Sequence, residues 1–569
     1  MMEGASSSSS SAHDLGHNDV LAKTASATVT TAIPESRTIN EFDRISDADS
    51  GNYDYHDIVR NARNVDRDSD HGFTKHDQKD MKRMGKTQEL RRNFRELSTI
   101  AFVVVLQGTW EVLLAASTQG MTDGGLAGLF WSYIWTFAGF SLVVISLAEM
   151  ASMAPTSGGQ YHWVSEFAPP RHQGWLSYFT GWMSTLSWQA GTASGPFLVG
   201  TLIQSMIYVN DETYVGTNWQ GTMFVWAITL VVYFCNVYGG RAMPVFQNLM
   251  LILHVFGFLT IIVCLWVLAP RNPAHVVFTQ FSNGGGWSSM GVSLMIGQIT
   301  AIYACICSDA AAHMSEEIKD AAVTVPRAMV GSYLLNGGLG VIFLVSFLFS
   351  IVDLDGALND GSGYPFLFVF TNAFSLPAVN ALSAIVITLI FAGTLSYNLS
   401  TSRQTWAFAR DQGMPFSKWI AHVNPKLEVP ANAVAATSGI TFILSLINIG
   451  SDVAFNAIIS LNLVTLMITY MISIACVLYR RIYHPELLPK CRWSLGRYGI
   501  AINAGGLAYA SFSFFWCFWP NATPVTADTF NWSVVMFVVV ALIAAVDWVV
   551  RARHVYKGPV VLVEGYHGD

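Results

Sequence analysis

Charge is scarce in this chain, and cations are almost missing from one side of it. Only 12% of its 569 residues are Asp, Glu, Lys or Arg, about half the usual quarter, which excludes an ordinary solvated globule. Cysteine is sparse too. Six of the seven (Cys235, Cys264, Cys305, Cys307, Cys476 and Cys517) lie in or at the ends of apolar runs and Cys491 lies in a loop, so no disulfide framework is expected. Cys305 and Cys307 have no accompanying ligands, which argues against a metal site and for small packing residues. No P-loop or metal-ligand signature occurs, which disfavours a self-contained ATPase pump. No apolar run of adequate length precedes Leu97, so no signal peptide is expected. Nothing calls for a cofactor or a nucleic-acid partner.

What the chain has is apolar length: 52% of residues are hydrophobic. A hydrocarbon core about 30 Å thick takes ~20 residues of helix. Candidate spans run over 97–119, 129–153, 175–208, 219–238, 243–268, 289–312, 328–352, 376–402, 431–449, 453–479, 499–519 and 531–550. Backbone exposed to lipid must satisfy its own hydrogen bonds, and barrel-type alternation is absent, so all are read as helices. The third is too long for one upright helix; it either tilts steeply or continues past the bilayer surface.

Twelve crossings put thirty of the thirty-one Lys and Arg residues on one side, leaving only Arg271 opposite. Basic loops mark the cytoplasm, which places both termini inside. A different crossing count would scramble the pattern. Residues 1–96 hold 14 basic and 17 acidic side chains and a Ser run at 6–11, the composition of a disordered cytoplasmic tail. Residues 97–555 then form the membrane domain, and 556–569 a short cytoplasmic tail. Asn521 and Asn531 begin N-x-[ST] sequons on the outer side, close to the membrane.

Polar groups inside spans are costly and therefore informative. The first span, "FVVVLQGTWEVLLAAS", carries Gln107, Gly108, Thr109 and Glu111 near its middle. The sixth, "GQITAIYACICSDAAAHMSEEI", carries Cys307, Ser308 and Asp309, then His313 and Glu316–Glu317. Small and polar residues permit local unwinding, which frees backbone groups for a ligand. Breaks at matching positions of two five-helix halves point to a transporter's substrate site. The bland readings are an internally paired Glu111 and an Asp309 that caps the next helical segment. His313 and His254 read as structural. Glu149 and Glu166 flank a turn on the basic side, where pairing with arginines would either lock a gate or merely solvate it.

"SLAEMASMAPTSGGQYHW" (146–163), "SWQAGTASGPFLVGTLIQ" (187–204), "SDAAAHMSEEI" (308–318) and "WAFARDQGMPFSKW" (406–419) together resemble the amino acid–polyamine–organocation superfamily, most closely its fungal amino acid/choline permeases. The resemblance covers about 97–555. It implies an all-α polytopic fold of the leucine-transporter type, with two inverted five-helix repeats and two further helices. It also implies that Gly108, Thr109 and Trp110 occupy the first-helix glycine-rich motif that receives a substrate carboxylate, although Trp110 stands where a glycine is usual. By the same resemblance Tyr303 closes over substrate and Asp309 takes part in gating or proton coupling.

The leading expectation is a secondary transporter of amino acids, choline or related amines, with protons as co-substrate, in the plasma membrane. Gln107, Gly108, Thr109, Trp110, Glu111, Tyr303, Cys307 and Ser308 are expected to form the substrate site, with Asp309 and Glu149 in coupling or gating. Glu111 beside the Trp110 ring suits an ammonium group. The alternatives are a transporter-like nutrient sensor and an exchanger. An enzyme built on His313 fits poorly, because no nucleophile constellation accompanies it.

Overall fold

In a computed structural model, residues 72–450 and 454–563 are described. Among them no named β-strand occurs; two isolated bridges, Phe94 with Ile318 and Asn424 with Val429, are the only β pairings. Ten helical segments are long and apolar enough to cross a membrane: 96–115, 118–153, 218–238, 243–268, 290–313, 321–350, 376–410, 431–450, 460–483 and 533–562. Two more long helices, Gln173–Asn210 and Gly499–Trp516, coincide with expected spans but fall outside those ten. The first is about 57 Å long at 1.5 Å per residue. Its buried face explains its lower hydropathy, being rich in Ser177, Thr180, Ser184, Gln189, Thr192 and Ser194.

The bundle is polar inside and apolar outside. In Met243–Leu268, Val245, Leu249, Ile252, Phe256, Leu259 and Val263 recur every three or four residues and are exposed. Gln247 and His254, on the opposite face, are fully buried. Lipid solvates the first face as well as a core would, so the inward face is free to hold the polar groups. Neighbouring helices supply partners for many of them: Gln247 Nε2 donates to Ser396 Oγ at 2.8 Å, and Gln189 Nε2 donates to Thr405 and Thr437 at 3.0 and 3.1 Å.

Several connections rich in Lys and Arg meet at one face. Arg83 pairs with Glu166 at 2.6 Å, Arg481 with Glu149, and Arg492 with Asp320. Near the carboxy terminus, Val560 N donates to Ser165 Oγ at 3.0 Å, and Tyr556 is buried against Tyr178 and Phe408. At the opposite face, Ser205 donates to Ser362 O at 2.7 Å and Thr523 N to Gly285 O at 2.8 Å.

Two expectations need correction. Residues 74–95 are not a disordered tail: Lys75–Arg83 is a helix with a reciprocal cap between Thr74 and Asp77. Met81, Met84, Leu90 and Phe94 are buried, an apolar series that averaging over a charged stretch concealed. The rest of that tail (1–71) and residues 564–569 lie outside the described residues. Second, 120–128 is no loop. A helix begins at Thr118 and bends at Gly125 (φ +67°), where any Cβ would come within 2.8 Å of Ser282 N. Of the two sequon residues, Asn531 is buried and donates to Cys517 O and Trp519 O at 2.9 and 3.0 Å, while its Oδ1 accepts from Ser533. It anchors the next helix; Asn521 is partly exposed.

Candidate functional site

Both expected breaks are present, and they face each other. Helix Glu96–Gln107 ends at Gly108, whose φ of +45° and ψ of +46° are left-handed, and the chain re-enters a helix at Thr109. A Cβ there would be strained and would also crowd Glu111 Oε2 at 3.4 Å. In the partner, Ile299–Cys305 gives way to extended Ile306 and to Cys307 at φ +71° before a short helix resumes at Ala310.

A broken helix leaves its last carbonyls without intrahelical donors. The facing break supplies them. Thr109 Oγ1 donates to Ala304 O at 2.9 Å, and Gln107 Nε2 donates to Ile306 O at 3.1 Å and Cys305 O at 3.4 Å. From helix Ala321–Ser350, Asn336 Nδ2 donates to Val104 O at 3.0 Å. These bonds allow two unwound segments to sit in a water-poor interior.

Against Gly108 lies a small cavity lined by Gln107, Glu111, Ser194, Tyr303, Thr394 and Tyr397, with Gly191, Gly195 and Gly393 giving it room. It encloses about 50 Å³, far below the roughly 300–1,000 Å³ of a small-molecule pocket, so the surrounding helices must part to admit a ligand. Tyr303 and Ser194 hydroxyls are 3.2 Å apart. Glu111 dominates the polar lining. Its Oε1 lies 2.6 Å from His254 Nδ1, while Oε2 is buried with no hydrogen-bond partner. His254, expected as packing, is therefore the partner of the site's only carboxylate among the described lining residues.

Of the expected substrate residues, Gln107, Gly108, Glu111 and Tyr303 line this cavity; Thr109, Trp110, Cys307 and Ser308 do not. The Trp110 ring turns away into an apolar cluster with Phe258 and Phe343, because the helical turn after Gly108 sends successive side chains to different faces. Trp110 does not line the cavity, although its ring also lies 5.7 Å from His254; the aromatic residues lining the cavity are Tyr303 and Tyr397. Cys307 reaches it indirectly, through its thiol contact with the Tyr397 hydroxyl. Ser194 and Tyr397 were missed by sequence reasoning. The small-residue run around Gly191–Gly195 was the available signal.

Asp309 lies off the cavity, toward the basic face. Its side chain caps no helix. It accepts instead from Gln160 Nε2 and the Tyr470 hydroxyl. His313 Nε2 is 3.7 Å away, and His313 Nδ1 donates to Ser157 O at 3.0 Å. His313 is fully buried. Glu149 is further out, held by Arg481, Leu495 N and Ser494 Oγ.

Beyond Asp309 a layer of charges closes the basic face. Arg410 grips Glu316 with two bonds of 2.7 and 2.9 Å, and Arg403 Nε meets Glu317 at 2.6 Å. The ordered amino-terminal segment completes the layer. Lys86 pairs with Asp411. Arg92 lies 3.2 Å from Asp77 and donates to Ser315 O at 2.9 Å and to Ile318 O. Phe94 exchanges backbone bonds with Glu317 and Lys319, each 3.0 Å. Asp77 also accepts from Asp320 N and Ala321 N at 3.0 Å, at the start of Ala321–Ser350, where a carboxylate complements the helix dipole. Burial pushes the Asp77 carboxyl upward, but Arg92, Thr74 and these N–H groups outweigh it and hold it below the usual range.

Residues 95–541 match the amino acid permease family model. The chain is 29% identical over 499 residues to the amino-acid permease BAT1 of Arabidopsis thaliana, covering 84% of this chain and 95% of that protein. It is 26% identical over 494 residues to amino-acid permease 2 of Neurospora crassa, covering 84% and 88%. Against the choline transporter of Saccharomyces cerevisiae it is 25% identical over 469 residues, 82% of each chain. The match over 95–541, with these relatives, shows that the chain belongs to the amino acid permease family of the amino acid–polyamine–organocation superfamily and is a membrane transporter rather than an enzyme.

Proposed function

We propose that the protein moves a small primary or quaternary amine, free or as part of an amino acid, by alternating access around the Gly108 cavity. One observation carries this reading: Glu111 Oε2 is buried at the cavity without a partner. A buried anion with an open coordination site favours a cation, and the faces of Tyr303 and Tyr397 add cation–π attraction for an ammonium. The carboxylate of a zwitterionic substrate would meet the backbone at the Gly108 turn, where a helix begins.

The reading includes twelve crossings in a 5+5+2 arrangement, both termini in the cytoplasm and residence in the plasma membrane. It is supported by the gathering of alternate connections at the basic face and by breaks in the two helices that the repeat would pair. Protons serve as co-substrate, with Asp309 as the coupling carboxylate. Its neighbours Gln160, Tyr470 and His313 belong to different elements, so a change in its charge would alter how those elements pack. The charge layer and the clamp formed by residues 74–95 close the cytoplasmic gate, and transport opens them.

The test is uptake into liposomes of labelled amino acids, choline and polyamines, with and without a pH gradient. Accumulation of at least one amine, increased by an inside-alkaline gradient, is expected. Saturable binding without flux across the whole panel would instead favour a sensor, and flux indifferent to the gradient would remove the proton.

A further inference from the structure

A second cavity, distinct from the one at Gly108, opens on the basic face where the amino-terminal segment meets the turns at 239–242 and 424–429. It holds about 230 Å³, more than the cavity at Gly108. Arg91, Arg241 and Lys426 line it, each from a different one of these segments. Arg91, Arg241 and Lys426 are exposed, and none of them makes an ion pair among the described residues. Two carboxylates are present, Glu317 and Glu428. Glu317 is engaged by Arg403 at 2.6 Å. Elsewhere on this face Arg83, Lys86, Arg92, Arg403, Arg410, Arg481 and Arg492 each hold a carboxylate. What sets Arg91, Arg241 and Lys426 apart is that three cations without an ion pair among the described residues converge on one void.

We propose that this cavity binds the phosphate-bearing headgroup of an anionic phospholipid. A free phosphate shares the recognition chemistry, but the surroundings favour a lipid. Tyr238 lines the cavity and is 69% exposed. Phe234 continues the apolar surface one turn up its helix, and Val245 and Leu249 do so on the next helix. A headgroup seated among the cations would therefore lay its chains along an apolar surface already turned to the bilayer. Basic pockets between helices at a membrane face recognise headgroups in this way. The bound lipid would tie the amino-terminal clamp, through Arg91, to two turns of the bundle.

The experiment is native mass spectrometry of the full-length protein in detergent, titrated with phosphatidylinositol phosphate or phosphatidylcholine. The parent is compared with R91Q/R241Q/K426Q and with K418Q/R497Q/R553Q, which removes three cations outside the cavity. Each cation near a membrane surface is worth about fivefold in affinity. The cavity variant should therefore lose about 100-fold for the anionic lipid, the control variant less than tenfold, and phosphatidylcholine should not distinguish them. Equal losses in the two variants would reduce the effect to general surface charge and overturn the site. Full displacement of the lipid by millimolar inorganic phosphate would overturn the lipid assignment. Because no transport is measured, the outcome is independent of the function proposed above.

Discussion

Replacing Glu111 with glutamine tests the substrate reading most directly, because it changes charge while keeping shape. Oε1 takes a 2.6 Å contact with His254 and Oε2 is unpartnered at the cavity. A glutamine oxygen still accepts from His254, so helix 109–115 keeps its tie to helix 243–268 and the fold should survive. What goes is the charge offered to a substrate ammonium. A hydrogen bond to a charged group contributes about 1.5–3 kcal/mol. At 1.4 kcal/mol per factor of ten, E111Q should weaken an amine substrate by roughly 10- to 150-fold, seen in KM for uptake and in equilibrium binding alike. A substrate analogue lacking the amine should be weakened far less, which separates lost recognition from lost structure. The assay is uptake into liposomes, with monodispersity in detergent as the folding control. A well-folded E111Q protein with unchanged KM and unchanged rate for every transported amine would refute the assignment while leaving the family membership intact.

Other outcomes follow from the same geometry. D309N should abolish the stimulation of uptake by a pH gradient yet preserve substrate exchange, and a variant still driven by the gradient would move coupling elsewhere. R92A breaks a buried pair and removes donors from two carbonyls, a loss of about 3–5 kcal/mol in docking the clamp; it should lower the melting temperature and speed amide exchange across 75–94, whereas protection equal to the parent would show that Arg92 does not hold the segment. For pH, burial raises the carboxyls of Asp77, Glu316 and Asp411, but Arg92, Arg410 and Lys86 respectively hold each below the usual range. Groups depressed in the folded state stabilise it above their unfolded pKa of about 4 and lose that contribution as pH falls. Melting temperature should therefore be level from about pH 5 to 8 and drop below about pH 4. A drop centred between pH 6 and 7 would instead implicate His162, buried 3.6 Å from Glu166.

The fold was largely legible because a bilayer leaves a chain few options. The expected span 243–268 and the observed helix Met243–Leu268 coincide, and 219–238 differs from Asn218–Tyr238 by one residue. Hydropathy reads such elements well, since lipid selects on average character over twenty residues. It reads poorly where the average misleads. Residues 75–94 carry so many charges that their composition matches a disordered tail, yet a few buried apolar side chains suffice because partner charges lie on other elements.

The site divides along the same line. Gly108 and the 306–309 turn could be found locally, from small and polar residues interrupting an apolar run, and both are indeed breaks. Which side chains converge on them depends on helical phase and on distant neighbours. Trp110 and Glu111 are adjacent in sequence, but consecutive residues of a helix point about 100° apart, so one packs into the core and the other reaches the cavity. No local pattern ties Glu111 to His254, 143 positions on, or Cys307 to Tyr397, 90 positions on. Those contacts arise because buried polar groups must find partners and the bundle offers them only across helices. The Glu111 oxygen that finds none is consequently the most informative atom in the site: Gln107 Oε1 beside the same cavity is also unpartnered, but only Glu111 brings a carboxylate to the described lining.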